Sequence, residues 1–118
     1  MKLIIAGGRG YKFTDADITF LDGLRCGMEI TEVVSGGCPS GADYHGEQWA
    51  HKERIAIKKF IPEWEKYKRP GKRNPAGPIR NRQMAEYADA VVLFPGGRGT
   101  ESMYNEAKRT GILILDKR

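Results

Sequence analysis

The chain has 118 residues, 30% of them charged and 40% hydrophobic, with a formal net charge of +5. That is a globular composition and the length of one domain with one core. The longest apolar run, 90–94, is far too short to cross a bilayer, no secretory leader pattern opens the chain, and two cysteines cannot form a disulfide framework. These features exclude a membrane-spanning protein, a disulfide-stapled scaffold and a zinc module. They predict a cytoplasmic protein with reduced Cys26 and Cys38, no metal and no required cofactor. Excess positive charge favours anionic partners, nucleotides and nucleic acids alike.

Residues 2–6 (KLIIA) read as a central strand, followed by the loop GGRGYKF. Thr14 with Asp17 three residues on is a capping-box pattern. It opens a helix to about Cys26, in which Ile18, Leu21 and Leu24 recur at helical spacing. Residues 31–34 form a second strand. Ser40, with Asp43 three residues on, is expected to cap a helix running to about Arg54. Residues 55–61 (IAIKKFI) form a third strand, after which periodicity stops.

Residues 62–77 contain three prolines and two glycines and read as a long basic loop. Pro78 suits the first position of the next helix. The stretch ADAVVLF is the fourth strand, 100–110 the last helix with Gly111 as its cap, and ILIL the fifth strand. Alternation of this kind predicts an α/β fold with three layers, Rossmann-like, with a central parallel sheet of about five strands in one domain over 1–118.

Three strands run into paired glycines: LIIAGGRG, VVSGGCPSG and VVLFPGGRGT. In a parallel sheet those turns share one edge, where helix N-termini and bare backbone attract phosphate. The first supplies Gly7, Gly8 and Arg9; the second Ser35, Gly36, Gly37, Gly41 and Asp43; the third Gly96, Gly97, Gly99 and Thr100. None matches GxGxxG or a Walker A loop. Arg80 and Asn81 open the helix after the long loop. From Lys66 to Arg82 there are seven Lys or Arg and no acid, beside Trp64 and Tyr67, which are ingredients for a phosphate clamp with base stacking on Trp64 or for nucleic-acid binding. His45 and His51 lie on different helix faces and form no HExxH. A Ser-His-Asp set from Ser35 or Ser40, His45 and Asp43 lacks the GxSxG elbow.

The ordered set IIAGGR with Phe13 and Asp15, SGGCPSGAD with Trp49-Ala50, IPEW with AGPIRNRQM, and PGGRGTESM resembles the YspA-like branch of the SLOG superfamily over nearly the whole chain. That superfamily is related to the Lonely Guy phosphoribohydrolases and to DprA/Smf proteins. The resemblance implies a nucleotide or nucleotide-derived ligand held by the Gly-Gly turns, Arg80 and Thr100, and a homo-oligomer. Lonely Guy enzymes carry PGGxGTxxE with a catalytic Glu, whereas this chain has Met103 at that place. Glu101 lies about 200° away around the helix. Glu106 shares the face of Met103 but sits further from the phosphate end.

The expectation is therefore a ligand-binding protein that senses, signals with or sequesters a nucleotide. Two alternatives stand beside it. One is an N-glycosidase of the phosphoribohydrolase type, with catalytic candidates Asp43, Arg80 and Glu106. The other is nucleic-acid binding through the basic loop.

Overall fold

Leu3, Ile4, Ile5, Val33, Val34, Val91, Val92 and Leu93 have essentially no exposed surface. Strands apolar on both faces have to be covered on both, and helices do this here. In the computed structural model, which describes residues 1–118, the elements are β1 (Lys2–Ala6), α1 (Asp15–Gly27), β2 (Glu32–Ser35), α2 (Gly41–Lys52), β3 (Ala56–Lys59), α3 (Ala76–Tyr87), β4 (Ala90–Leu93), α4 (Arg98–Thr110) and β5 (Leu113–Asp116). The strands form one parallel sheet in the order β3-β2-β1-β4-β5. The expected Rossmann-like α/β architecture is present.

Alternate residues of each strand feed opposite faces. Leu3, Ile5, Val33 and Val92 pack with Leu21 of α1 and with Trp49 and Ala50 of α2. Ile4, Val34, Val91 and Leu93 pack with Met84 and Ala85 of α3 and Met103 and Ala107 of α4. Burying each Leu or Ile contributes about 1.5–3 kcal/mol. Gly46 brings α2 close to the sheet, since a Cβ there would lie 2.9 Å from Ile5. Trp49 Nε1 donates to Asp22 at 2.9 Å, tying α2 to α1.

The Thr14–Asp17 capping box forms as the spacing predicts, and Tyr11 adds a hydroxyl bond to Asp17 at 2.6 Å. One cap and several boundaries differ. Ser40 occupies the N-cap of α2, but its side chain makes no cap bond. Helix α3 starts at Ala76, two residues before Pro78, because Asn74 Oδ1 accepts the Ala76 N–H at 2.9 Å and proline is tolerated throughout a first turn. Helix α4 starts at Arg98 rather than Thr100, which puts Thr100 within its first turn. The β3 ladder is also shorter than the 55–61 run.

Candidate functional site

Strand order reverses around β1 and β4, so the chain leaves their C-terminal ends in opposite directions and opens a crevice there. Gly8 sits at its centre. The Gly8 N–H donates to the Pro95 carbonyl at 2.9 Å, and the Gly8 carbonyl accepts from Tyr11 at 3.2 Å and Ala42 at 3.1 Å. A Cβ on Gly96 would stand 2.6 Å from the Gly8 nitrogen, and one on Gly41 2.1 Å from its oxygen. Gly41 also has φ +71, a left-handed value that favours glycine.

Over this junction lies a cavity of about 760 Å³, within the range of small-molecule sites, about 300–1,000 Å³. Its apolar end is formed by Ala6, Met84 and Met103, the last almost wholly buried. One wall is the start of α4. The N–H groups of Arg98, Gly99 and Thr100 have no acceptor in the chain, and the N-cap Gly97 has no side chain to offer. Thr100 is 4% exposed, and its hydroxyl makes no hydrogen bond. The unmet donors and the helix dipole together make this wall attractive to an anion. Arg9 and Arg98, both exposed and in no ion pair, border it.

The opposite wall is the turn after β2, with Gly36, Gly37 and Cys38. Arg80 reaches it from α3: Nη1 donates to the carbonyls of Gly36 at 2.6 Å and Phe60 at 3.4 Å, and Nε to Asn81 Oδ1 at 2.9 Å. Asn81 Nδ2 in turn donates to the Gly99 carbonyl at 3.3 Å and Ser102 Oγ at 3.2 Å. These two side chains thus fix the second turn, the end of β3 and the start of α4 relative to one another, and Arg80 Nη2 stays free of any bond within the chain. Asp43 Oδ2 accepts the Cys38 N–H at 3.2 Å instead of closing a box with Ser40. Burial pushes the Asp43 carboxyl above its ordinary range, against the pull of the Cys38 N–H and the Arg80 charge. Burial likewise lowers Arg80, with Asp43 opposing it.

Of the residues predicted from sequence, Gly7, Gly8, Arg9, Gly36, Gly37 and Asp43 line the cavity. So do Arg80, Asn81, Gly97, Gly99, Thr100 and Trp64, the last 45% exposed at the rim. Ser35, Gly41 and Gly96 do not. Ser35 is buried and donates to Glu47 at 2.6 Å while accepting from Gly37 N–H, and the two glycines pack backbone on backbone. Glu106 lies outside the cavity, paired with Arg109 at 3.0 Å, and Glu101 is paired with Arg118 at 2.8 Å. Cys38, Ile61 and Met84 line the cavity without having been singled out; only the motif SGGCPSG placed Cys38 nearby. No three His, Cys, Asp or Glu side chains converge as a metal site requires, and no helix is long and apolar enough to cross a membrane.

A model of the YspA, cpYpsA-related SLOG family, called YAcAr, matches residues 1–67. The chain belongs to this SLOG family. The matched span carries the first two Gly-Gly turns and Asp43, while Arg80 and the third turn of this SLOG chain lie beyond it. The crystal structure of TM1055, a Northeast Structural Genomics Consortium target, has a similar fold, with a TM-score of 0.64. It is 18% identical, and the match covers 96% of the SLOG chain and 71% of TM1055, so the likeness is one of fold. No curated protein matches the chain.

Proposed function

We propose that this SLOG protein binds a nucleotide or nucleotide-derived small molecule as a sensor, signalling or sequestering module. The phosphate sits on the first turn of α4, with Arg9 and Arg98 neutralising it, and the ribose and base extend toward Asp43 and Trp64. The observation that carries this reading is the Thr100 hydroxyl, which opens to the cavity from an otherwise buried residue and has no partner in the chain, beside three equally unpartnered N–H groups. Membership of the SLOG family supports a nucleotide-related ligand.

Calorimetry with the four nucleoside monophosphates tests it. Thr100→Val keeps the shape and breaks no bond within the chain. Because hydrogen bonds to charged groups contribute about 1.5–3 kcal/mol, it should weaken binding roughly tenfold to a hundredfold without lowering stability. Failure of all four nucleotides to bind would sink the proposal.

One observation favours a second reading, an N-glycosidase. Asp43 is a half-buried carboxyl on the cavity wall with its pKa raised, the state a general acid needs, whereas Glu101 and Glu106 are held elsewhere. Chromatographic detection of free base from nucleoside monophosphates, lost in Asp43→Asn, would establish it.

A further inference from the structure

A second concavity of about 250 Å³ adjoins the main cavity, and Arg9, Pro39 and Ser40 line both. It lies between the loop after β1 and the start of α2. Its other lining includes Lys12, Tyr44 and His45, and no Asp or Glu is among them. Neither Arg9 nor Lys12 takes part in any ion pair of the chain.

The aromatic wall is fixed from behind. The His45 ring stacks on Phe13 at 5.3 Å, Phe13 packs on the buried Phe94 at 4.7 Å, and Tyr44 stands edge-on to His45 at 5.4 Å. Tyr44 is nonetheless 44% exposed, one of four large hydrophobic side chains left so open. Two unpaired cations followed by an accessible, supported ring form a sequence of contacts that a phosphate alone would not use. They suit a second phosphate followed by a flat ring.

We propose that this side groove receives the second half of the ligand. The bound molecule is then a nucleotide joined through a pyrophosphate to a second ring, its phosphates passing over Arg9 toward Lys12 and its distal ring lying against Tyr44. This rests on the nucleotide reading above and narrows it to one substrate class.

A graded series for each of the four bases tests it by calorimetry: the nucleoside monophosphate, the nucleoside diphosphate and the symmetric 5′,5′-dinucleoside pyrophosphate. For the base that binds, affinity should rise along the series. Tyr44→Ala should cost the dinucleoside pyrophosphate about tenfold while leaving the monophosphate within about twofold, and Tyr44→Phe should behave as wild type. Lys12→Ala should weaken the diphosphate and the pyrophosphate, and spare the monophosphate.

Monophosphate binding with no gain along the series, or Tyr44→Ala acting equally on all three compounds or on none, would overturn the side-groove assignment and leave the nucleotide reading standing. No binding by any member of the series would overturn both.

Discussion

Gly96 and Gly99 both lie at the third Gly-Gly turn, yet the structure gives them opposite tolerances. An alanine Cβ at Gly96 would come within 2.1 Å of Thr100 Oγ1, 2.6 Å of the Gly8 nitrogen and 2.9 Å of the Gly8 Cα. The hydroxyl can rotate away, but the Gly8 backbone cannot, because its N–H is bonded to Pro95 and its carbonyl to Tyr11 and Ala42. Gly96→Ala therefore forces the β1 and β4 turns apart. Overpacking of this kind costs roughly 1–3 kcal/mol. For a domain of this size that lowers Tm by roughly 3–15 °C. At Gly99 an added Cβ meets no atom within 4 Å. The residue is helical, so Gly99→Ala should be neutral or stabilise by up to about 1 kcal/mol, through a less flexible unfolded chain. Urea and thermal unfolding of the two variants side by side is the assay. Gly96→Ala as stable as wild type, or Gly99→Ala as damaged as Gly96→Ala, would refute the claim that one glycine serves packing and the other leaves room at the cavity.

Arg80→Lys should be destabilising by about 1–3 kcal/mol in urea titrations. One ammonium cannot meet Gly36, Phe60 and Asn81 from the position of the guanidinium fork, and it leaves buried acceptors short. The raised Asp43 pKa has a definite sign: the folded protein holds that proton more tightly than the unfolded chain, so this group's contribution to stability falls as pH climbs from its ordinary value of 3.8 through its folded value. The stability of wild type relative to Asp43→Asn should accordingly decline as pH rises above 3.8, and a flat difference would show that the burial is not felt. Neutralising Lys68, Arg69, Lys72 and Arg73 together should change monophosphate affinity by no more than about twofold, since none lines the cavity. If the loop binds nucleic acid, the same variant should abolish the salt dependence of single-stranded oligonucleotide binding in a filter or anisotropy assay.

Local patterns translated faithfully from sequence to structure. Thr14 and Asp17 are close in the chain, the Tyr11 hydroxyl joins their bonds without displacing either, and their capping box is as spaced. The layering of a parallel sheet between helices followed from apolar runs alternating with helices, since only a two-sided cover satisfies Leu3 to Ile5 and Val91 to Leu93. The same pattern at Ser40 and Asp43 misled, because the turn before Ser40 folds back and offers the Cys38 N–H to the carboxylate.

Paired glycines announce that something approaches the backbone, but not what. At Gly97 and Gly99 the space is a cavity; at Gly41 and Gly96 it is filled by Gly8. Ser35 reads as a ligand hydroxyl until Glu47, twelve residues away, takes it. Glu106 shares a helix face with Met103, yet Arg109 one turn on holds it away. Ile61 and Met84 carried no warning because a residue at a strand end or on an apolar helix face looks the same whether it meets core or cavity.

The Gly8 peptide has one further consequence. Its N–H and carbonyl fasten the departures toward α1, α2 and α4 to a single rigid plane. The three turns cannot adjust to an occupant one at a time: whatever presses on Gly8 shifts three helices in concert. Amide exchange at Gly8, Tyr11 and Ala42 should then slow by a common factor on occupancy, so that the sheet edge reports ligand as a unit rather than loop by loop.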